Sequence, residues 1–211
     1  MKKGLFISFE GGDGSGKTTQ IGLLHDYLTG KGIDVITLRE PGGVVISEKI
    51  RDIILDKQYT DMDPVTEMLL YAASRSQLVS QVLKPALNKG ISVICDRYVD
   101  SSYVYQGFAR GLGISDVKAV NDIAAGQLIP DITFFMDINP DTALKRRLDA
   151  SQPDRLEMED ISFHRKVYEG YLKISGLYPE RVKRIDRSGG IENTFSQIKG
   201  YVDELLCRYN K

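Results

Sequence analysis

The sequence predicts an α/β fold of three layers, α/β/α, built around a five-stranded parallel sheet. Short apolar runs alternate with longer amphipathic ones from end to end, the signature of strands joined by crossover helices. No repeat, low-complexity block or linker divides the chain, so residues 1–211 read as a single domain. Apolar side chains at 42% and charged ones at 27% are globular proportions, enough for a core without covalent staples.

The elements follow in order. Leu5 to Phe9 reads as a buried strand, followed by a glycine-rich turn and a helix over 17–29 that Gly30-Lys31-Gly32 stops. Asp34 to Leu38 is the second strand. Asp63 suits an N-cap and Pro64 the first position of a long helix. That helix runs to about Pro85, whose missing N–H disturbs the ladder, and Gly90 closes the region. Ile91 to Cys95 is the third strand, Ile132 to Met136 the fourth and Val182 to Ile185 a weak fifth, before a closing helix over 191–209. The segment 146–160, dense in charge and holding Pro153, is the least core-like. It reads either as a solvated helix with a loop or as a short lid.

Charge narrows the function. The 28 basic and 29 acidic side chains nearly cancel, which argues against nucleic acid as the main partner. Cys95 and Cys207 are too few for a disulfide framework. No apolar stretch reaches membrane-spanning length, so a soluble, cytoplasmic protein is expected.

One motif carries chemistry. Gly11, Gly12, Asp13, Gly14, Ser15, Gly16, Lys17 and Thr18 fit G-x-x-x-x-G-K-[ST] between a strand and a helix, with Thr19 following. Glycines let backbone N–H groups close around phosphate oxygens, and the positive end of the next helix adds to the field. Lys17 suits the β- and γ-phosphates and Thr18 a Mg²⁺ shell. The fold expected is therefore that of a P-loop NTPase that binds a nucleotide. The motif does not name the phosphoryl acceptor.

Further segments do. Arg39-Glu-Pro-Gly-Gly43 follows the second strand, Asp96-Arg-Tyr98 the third, and Ala72-Ala-Ser-Arg75 lies in the long helix. With FEGGDGSGKTT, DRYVDSSYVYQGFARG and DRLE, they make the chain resemble bacterial thymidylate kinases over nearly its whole length. The resemblance implies ATP as donor, dTMP as acceptor and a role for each matching residue. Arg39 and Arg97 would grip the 5′-phosphate, for which a guanidinium is well shaped. Asp13 would meet the 3′-hydroxyl, and Asp96 would orient the Mg²⁺ shell or the phosphate-binding arginine. Tyr71, where relatives commonly have Phe, would stack on thymine. Arg75, Ser102 and Gln106 would bond its edge, and Tyr105 would pack near the sugar. The P-loop carries no arginine at Gly14 or Ser15, so the lid would supply the catalytic one: Arg155 first, Arg146 or Arg147 second. A homodimer packed through helices is also implied, with the apolar faces of the long helix and of Ile114 to Ile123 as its source. No catalytic histidine is assigned, because His25 and His164 fall in helices and are expected to face solvent.

Other readings stay open at this level. A kinase for dUMP or a deoxynucleoside shares every feature named, and one thymine methyl discriminates by only roughly 1–3 kcal/mol. Adenylate kinase fits less well, because Lys17-Thr18-Thr19 and REPGG do not resemble its signatures. A GTP-dependent switch expects N-K-x-D, whereas Asn88-Lys89-Gly90 continues with Ile91. A non-catalytic nucleotide-binding module is disfavoured by Lys17, Thr18, Asp96 and Arg97 together. Tyr71 also fits a core position by its spacing from Leu78, and Asp13 a turn-stabilising one.

Overall fold

Residues 3–148 and 153–209 are described by a computed structural model, in which a wholly parallel sheet runs in the order β2-β3-β1-β4-β5. Strand β1 is Phe6–Glu10, β2 Val35–Arg39, β3 Ser92–Asp96, β4 Ile132–Asp137 and β5 Val182–Asp186. Each expected strand is present: β1, β2 and β3 are displaced by one residue towards the carboxyl end, and β4 and β5 start where expected and end one residue later. Every residue of β1 is buried, which explains why it reads as a continuous apolar run. The register pairs Phe9 with Asp96 and with Phe134, so the ends of β1, β3 and β4 open on one edge of the sheet. Ligands bind at such an edge where the strand order reverses.

Two cores enclose the sheet, one per face, as strand alternation requires. Helices α1 (Lys17–Gly30) and α9 (Gly190–Tyr209) cover Ile7, Phe9, Ile94, Phe134, Met136 and Ile185. The other face buries Phe6, Val93, Cys95 and Phe135 beneath the remaining helices. These begin with α2 (Val45–Leu55) and α3 (Pro64–Leu78), the latter capped by Asp63, whose Oδ1 accepts from Val65 and Thr66 N–H.

Pro85 does not end the long helix. A π-helical turn at Val79–Leu83 carries α3 into α4 (Lys84–Asn88), with the Lys84 N–H donating to the Val79 carbonyl. The wider turn accommodates the proline ring without breaking the rod. A second π-helical stretch, Tyr103–Ala109, prolongs α5 (Val99–Ser102) and leads to α6 (Ile114–Ala125). After β4 come α7 (Pro140–Leu148) and α8 (Ile161–Leu177). Of the expected lid over 146–160, residues 149–152 lie outside the described residues.

Candidate active site

The loop after β1 leads into α1 through Gly16, whose φ of 87° is a left-handed value that favours glycine. A Cβ there would stand 2.5 Å from Nη2 of Arg187. No side chain caps α1, so its first N–H groups lack both intrahelical and side-chain partners. Lys17 is 6% exposed and folds back to donate Nζ hydrogens to the carbonyls of Gly11 (3.1 Å) and Gly12 (3.2 Å). Burial and the charge of Arg97 hold its pKa below the usual lysine range. Behind the loop, Arg187 donates to the Ser15 carbonyl at 2.9 Å and to Thr194, while Gln20 on α1 donates to the Ile191 carbonyl at 3.1 Å.

A cavity of about 380 Å³ opens over this loop, lined by Gly16, Lys17, Thr18, Arg39, Asp96 and Arg146 among others. Five cationic side chains face three carboxylates there, an excess that suits a polyanion. Oδ1 of Asp96 is buried without a hydrogen-bond partner among the described residues.

A second cavity of about 140 Å³ adjoins the first. Asp13, Glu40, Arg51 and Arg97 line both, so these four residues form the seam between them. Arg97 directly follows β3 with φ 69°, a conformation that costs a non-glycine residue about 1–2 kcal/mol. Its N–H donates to the Phe9 carbonyl at 2.9 Å and its Nη2 to Asp13 at 2.7 Å. Nη1 donates to the hydroxyls of Ser101 and Tyr171, both at 3.3 Å. Those hydroxyls donate in turn to Oε2 of Glu10, at 2.6 and 2.9 Å, while Oε1 accepts the Tyr98 N–H at 2.8 Å. A buried carboxylate thus orients the arginine through two hydroxyl bridges.

The second cavity runs from this seam to a closed end. Tyr71 and Tyr105 line it, and Arg75, Ser102 and Gln106 lie among its polar groups. Arg75 is 2% exposed. Its Nε and Nη2 reach Oε2 of Glu40 at 2.7 Å, and its Nη1 donates to Ser102 at 2.9 Å and to Asn121. Gln106 donates Nε2 to Glu67 at 2.9 Å. The guanidinium of Arg97 lies 5.3 Å from the Tyr105 ring centre.

Most residues singled out in the sequence therefore converge, with exceptions. Arg39 lines the phosphate-loop cavity but spends its Nη2 on Glu48, at 2.8 and 3.1 Å, and does not reach the second cavity. Arg155 is only 6% exposed and lies away from the loop, donating Nε to the Ile54 carbonyl at 2.8 Å and Nη2 to Glu67 at 2.7 Å. A buried guanidinium needs a carboxylate, and Glu67 supplies it. Arg146 is the lid arginine on the loop cavity; the side chain of Arg147 lies outside the described residues. His164 does not face solvent: its Nε2 is enclosed, beside a small apolar cavity that Gly12 and Tyr168 also line. His25 is half-exposed beside Asp26.

Sequence reasoning missed Glu10, Glu40, Arg51 and Glu67. Glu10 and Glu40 lie inside quoted motifs, and their position at strand ends was an available signal. Arg51 and Glu67 lie on helices with nothing in their spacing to mark them.

The profile of the family described as Thymidylate kinase matches residues 9–198. A thymidylate kinase of Caldanaerobacter subterraneus subsp. tengcongensis is 52% identical over 204 residues, covering 97% of each chain. One of Clostridium novyi is 46% identical over 204 residues, covering 96% of this chain and 100% of its own. The crystal structure of thymidylate kinase from Ehrlichia chaffeensis superposes with a TM-score of 0.78 at 31% identity, covering 95% of this chain and 99% of that one.

The Glu10 network makes a pH prediction. Burial, then the charge of Asp100, push the Glu10 carboxyl up to about 7, against the opposing pull of Ser101, Arg97 and the Tyr98 N–H. An acid raised on folding stabilises the fold in its protonated form. Its contribution is complete below the unfolded value of 4.5 and is lost as pH rises to about 7. The unfolding free energy of the ligand-free protein, measured against Glu10→Gln, should fall across that window and then level off. A difference that stays flat would mean that Glu10 does not titrate with folding.

Proposed function

The chain belongs to the thymidylate kinase family, and we propose how its residues divide the work of the family's reaction. That reaction is transfer of the γ-phosphoryl group of ATP to dTMP, giving dTDP and ADP. The observation that carries our assignment of substrates is the shared wall of the two cavities. ATP fits the cationic one, its phosphates against the P-loop backbone, Ser15, Lys17, Thr18 and Thr19. dTMP fits the deeper one, its 5′-phosphate at the seam, held by Arg97 and by Arg51. Arg39 shields the donor side of that seam. Two phosphates meeting at fixed guanidinium groups are in position for in-line transfer, which depends on alignment and charge neutralisation.

At the closed end, thymine lies against Tyr71, with Arg75, Ser102 and Gln106 offered to its edge. Tyr105 packs beside the sugar, and Asp13, while accepting from Arg97, also accepts the 3′-hydroxyl.

The residues fit a Mg²⁺ that accompanies ATP. Asp96 has a buried oxygen lacking a partner among the described residues, and the exposed Thr18 lines the same cavity. When bound, Mg²⁺ supplies positive charge across the β- and γ-phosphates. Arg146, not Arg155, is the arginine that we assign to charge on the transferring group. The described parts of the lid wall both cavities, Arg146 on the donor side and Asp154 and Glu157 on the acceptor side.

We also read the enzyme as a cytoplasmic homodimer of single-domain chains. Both cysteines are unpaired, and among the described residues no helix is long and apolar enough to cross a membrane. Helix α3 packs between α2 and α6, and the outer surfaces of these three expose Ile46, Ile53, Val65, Leu69 and Ile123, the last at 85%. Exposed apolar side chains on three helices packed together suit a second copy.

Three measurements test these assignments. ADP release with ATP, Mg²⁺ and each monophosphate in turn should be fast with dTMP, slower with dUMP and poor with ribonucleotides. Preference for another acceptor would discard the base-site assignment. Arg146→Ala should lower kcat about a thousandfold with little change in the KM for dTMP. An unaltered kcat, with a fall in Arg155→Ala instead, would return the role to Arg155. Sedimentation at micromolar concentration should give a dimer that Ile123→Asp weakens, and a wild-type monomer would remove that assignment.

A further inference from the structure

Glu67 has no exposed surface and lies behind Gln106, a lining residue of the acceptor cavity, and no step proposed above uses it. Its carboxylate accepts from four directions. Oε2 takes Arg155 at 2.7 Å and Arg110 at 3.2 Å, and Oε1 takes Gln106 at 2.9 Å and the Arg110 Nε at 3.4 Å. Arg110 is further held by Glu159 at 2.6 Å, so the cluster balances two guanidinium groups with two carboxylates. Despite burial, the hydrogen bond from Gln106 and the charge of Arg110 hold the Glu67 carboxyl below its ordinary pKa. It is therefore ionised, and an ionised carboxylate can only accept.

That restriction fixes the amide of Gln106. Its NH₂ must face Glu67, which leaves Oε1, an acceptor, to the cavity that Gln106 lines. Arg75, which also lines the cavity, has only N–H groups to offer. The cavity thus presents an acceptor from Gln106 and a donor from Arg75. Uracil-type rings carry an N3–H beside the O4 acceptor and complement this pair. Cytosine-type rings reverse both polarities, with a bare N3 beside an exocyclic NH₂. Resting on the reading that dTMP enters this cavity base first, we propose that Glu67 is the residue that sets acceptor specificity, by locking Gln106 as an acceptor so that cytosine-type monophosphates are rejected. Arg155 and Arg110 act through it, as positioning residues that keep its charge.

The geometry also says what neutralising Glu67 would do. Oε2 takes the two shorter arginine contacts, 2.7 Å from Arg155 and 3.2 Å from Arg110, against a single 3.4 Å contact from Arg110 Nε to Oε1, so an oxygen is favoured at Oε2. In Glu67→Gln the introduced amide would keep its oxygen on the arginines and turn its NH₂ towards Gln106. Gln106 would then rotate and present its own NH₂ to the cavity, a polarity that suits the bare N3 of cytosine.

The experiment compares kcat/KM for dTMP and for dCMP, with ATP and Mg²⁺, in the wild type, Glu67→Gln, Glu67→Asp and Gln106→Leu. The selectivity ratio should fall by about tenfold or more in Glu67→Gln. The fall should come from a raised KM for dTMP and a lowered KM for dCMP, with kcat for dTMP little changed. Glu67→Asp, which keeps an acceptor-only group, should retain most of the selectivity. If Glu67→Gln does not fold, Gln106→Leu carries the test, because it removes the amide and leaves the ion pairs; its ratio should fall as well. A folded Glu67→Gln with unaltered selectivity, or a Gln106→Leu enzyme that still rejects dCMP as the wild type does, would overturn the proposal. A wild type that does not use dTMP would overturn the reading of the cavity and this inference with it.

Discussion

The rest of the site depends on one guanidinium held fast at the seam between two cavities. Arg97 sits at the carboxyl end of β3 in a left-handed conformation, and each of its contacts comes from a different part of the chain. β1 supplies the carbonyl of Phe9 and, through the hydroxyls, Glu10. The phosphate loop supplies Asp13 and α8 supplies Tyr171. A cation free to move would follow whichever anion arrived first. One tied to the sheet on one side and to the loop on the other stays at the seam. Such preorganisation removes the cost of rearranging charge during transfer.

The same device recurs deeper in the molecule with a different purpose. Arg75 on Glu40, Arg155 and Arg110 on Glu67, and Arg181 on Asp100 are ion pairs in which the carboxylate is almost wholly buried. Pairs of this kind add little net stability, because desolvation offsets most of their attraction. What they fix is direction. Each restricts how the polar atoms around it can be arranged, so the second cavity has a largely set pattern of donors and acceptors before any ligand enters. A cavity of the same shape lined by hydroxyls alone would reorient to suit whatever filled it.

Much of this was legible in the sequence, because it rests on local rules. The strands read as apolar runs, and the Asp63 cap and the P-loop depend on neighbours in sequence. Tyr71, Tyr105 and Gln106 were reached through resemblance, since nothing in their spacing separates a binding surface from a core. The misplacements share one cause. Arg155 looked like a surface charge available to a phosphate, and only the folded chain brings Glu67, 88 residues away in sequence, against it. His164 was read as a solvent-facing helix residue for the same reason. Pro85 marked a disturbance correctly, but a π-helical turn has no 3.6-residue signature, so the continuation of the helix was hidden.

The ties behind the phosphate loop have a bearing on how the chain is made. The loop itself is finished within the first twenty residues, yet its rear is closed by Arg187, and α1 is anchored to the Ile191 carbonyl. On the ribosome, the N-terminal half emerges long before those partners do. Until the last strand and the start of α9 have cleared the exit tunnel, the nascent chain carries a cradle without its back wall. The rear of the cradle is thus among the last parts of the fold to be supplied, when almost all of the second cavity's lining has already been made.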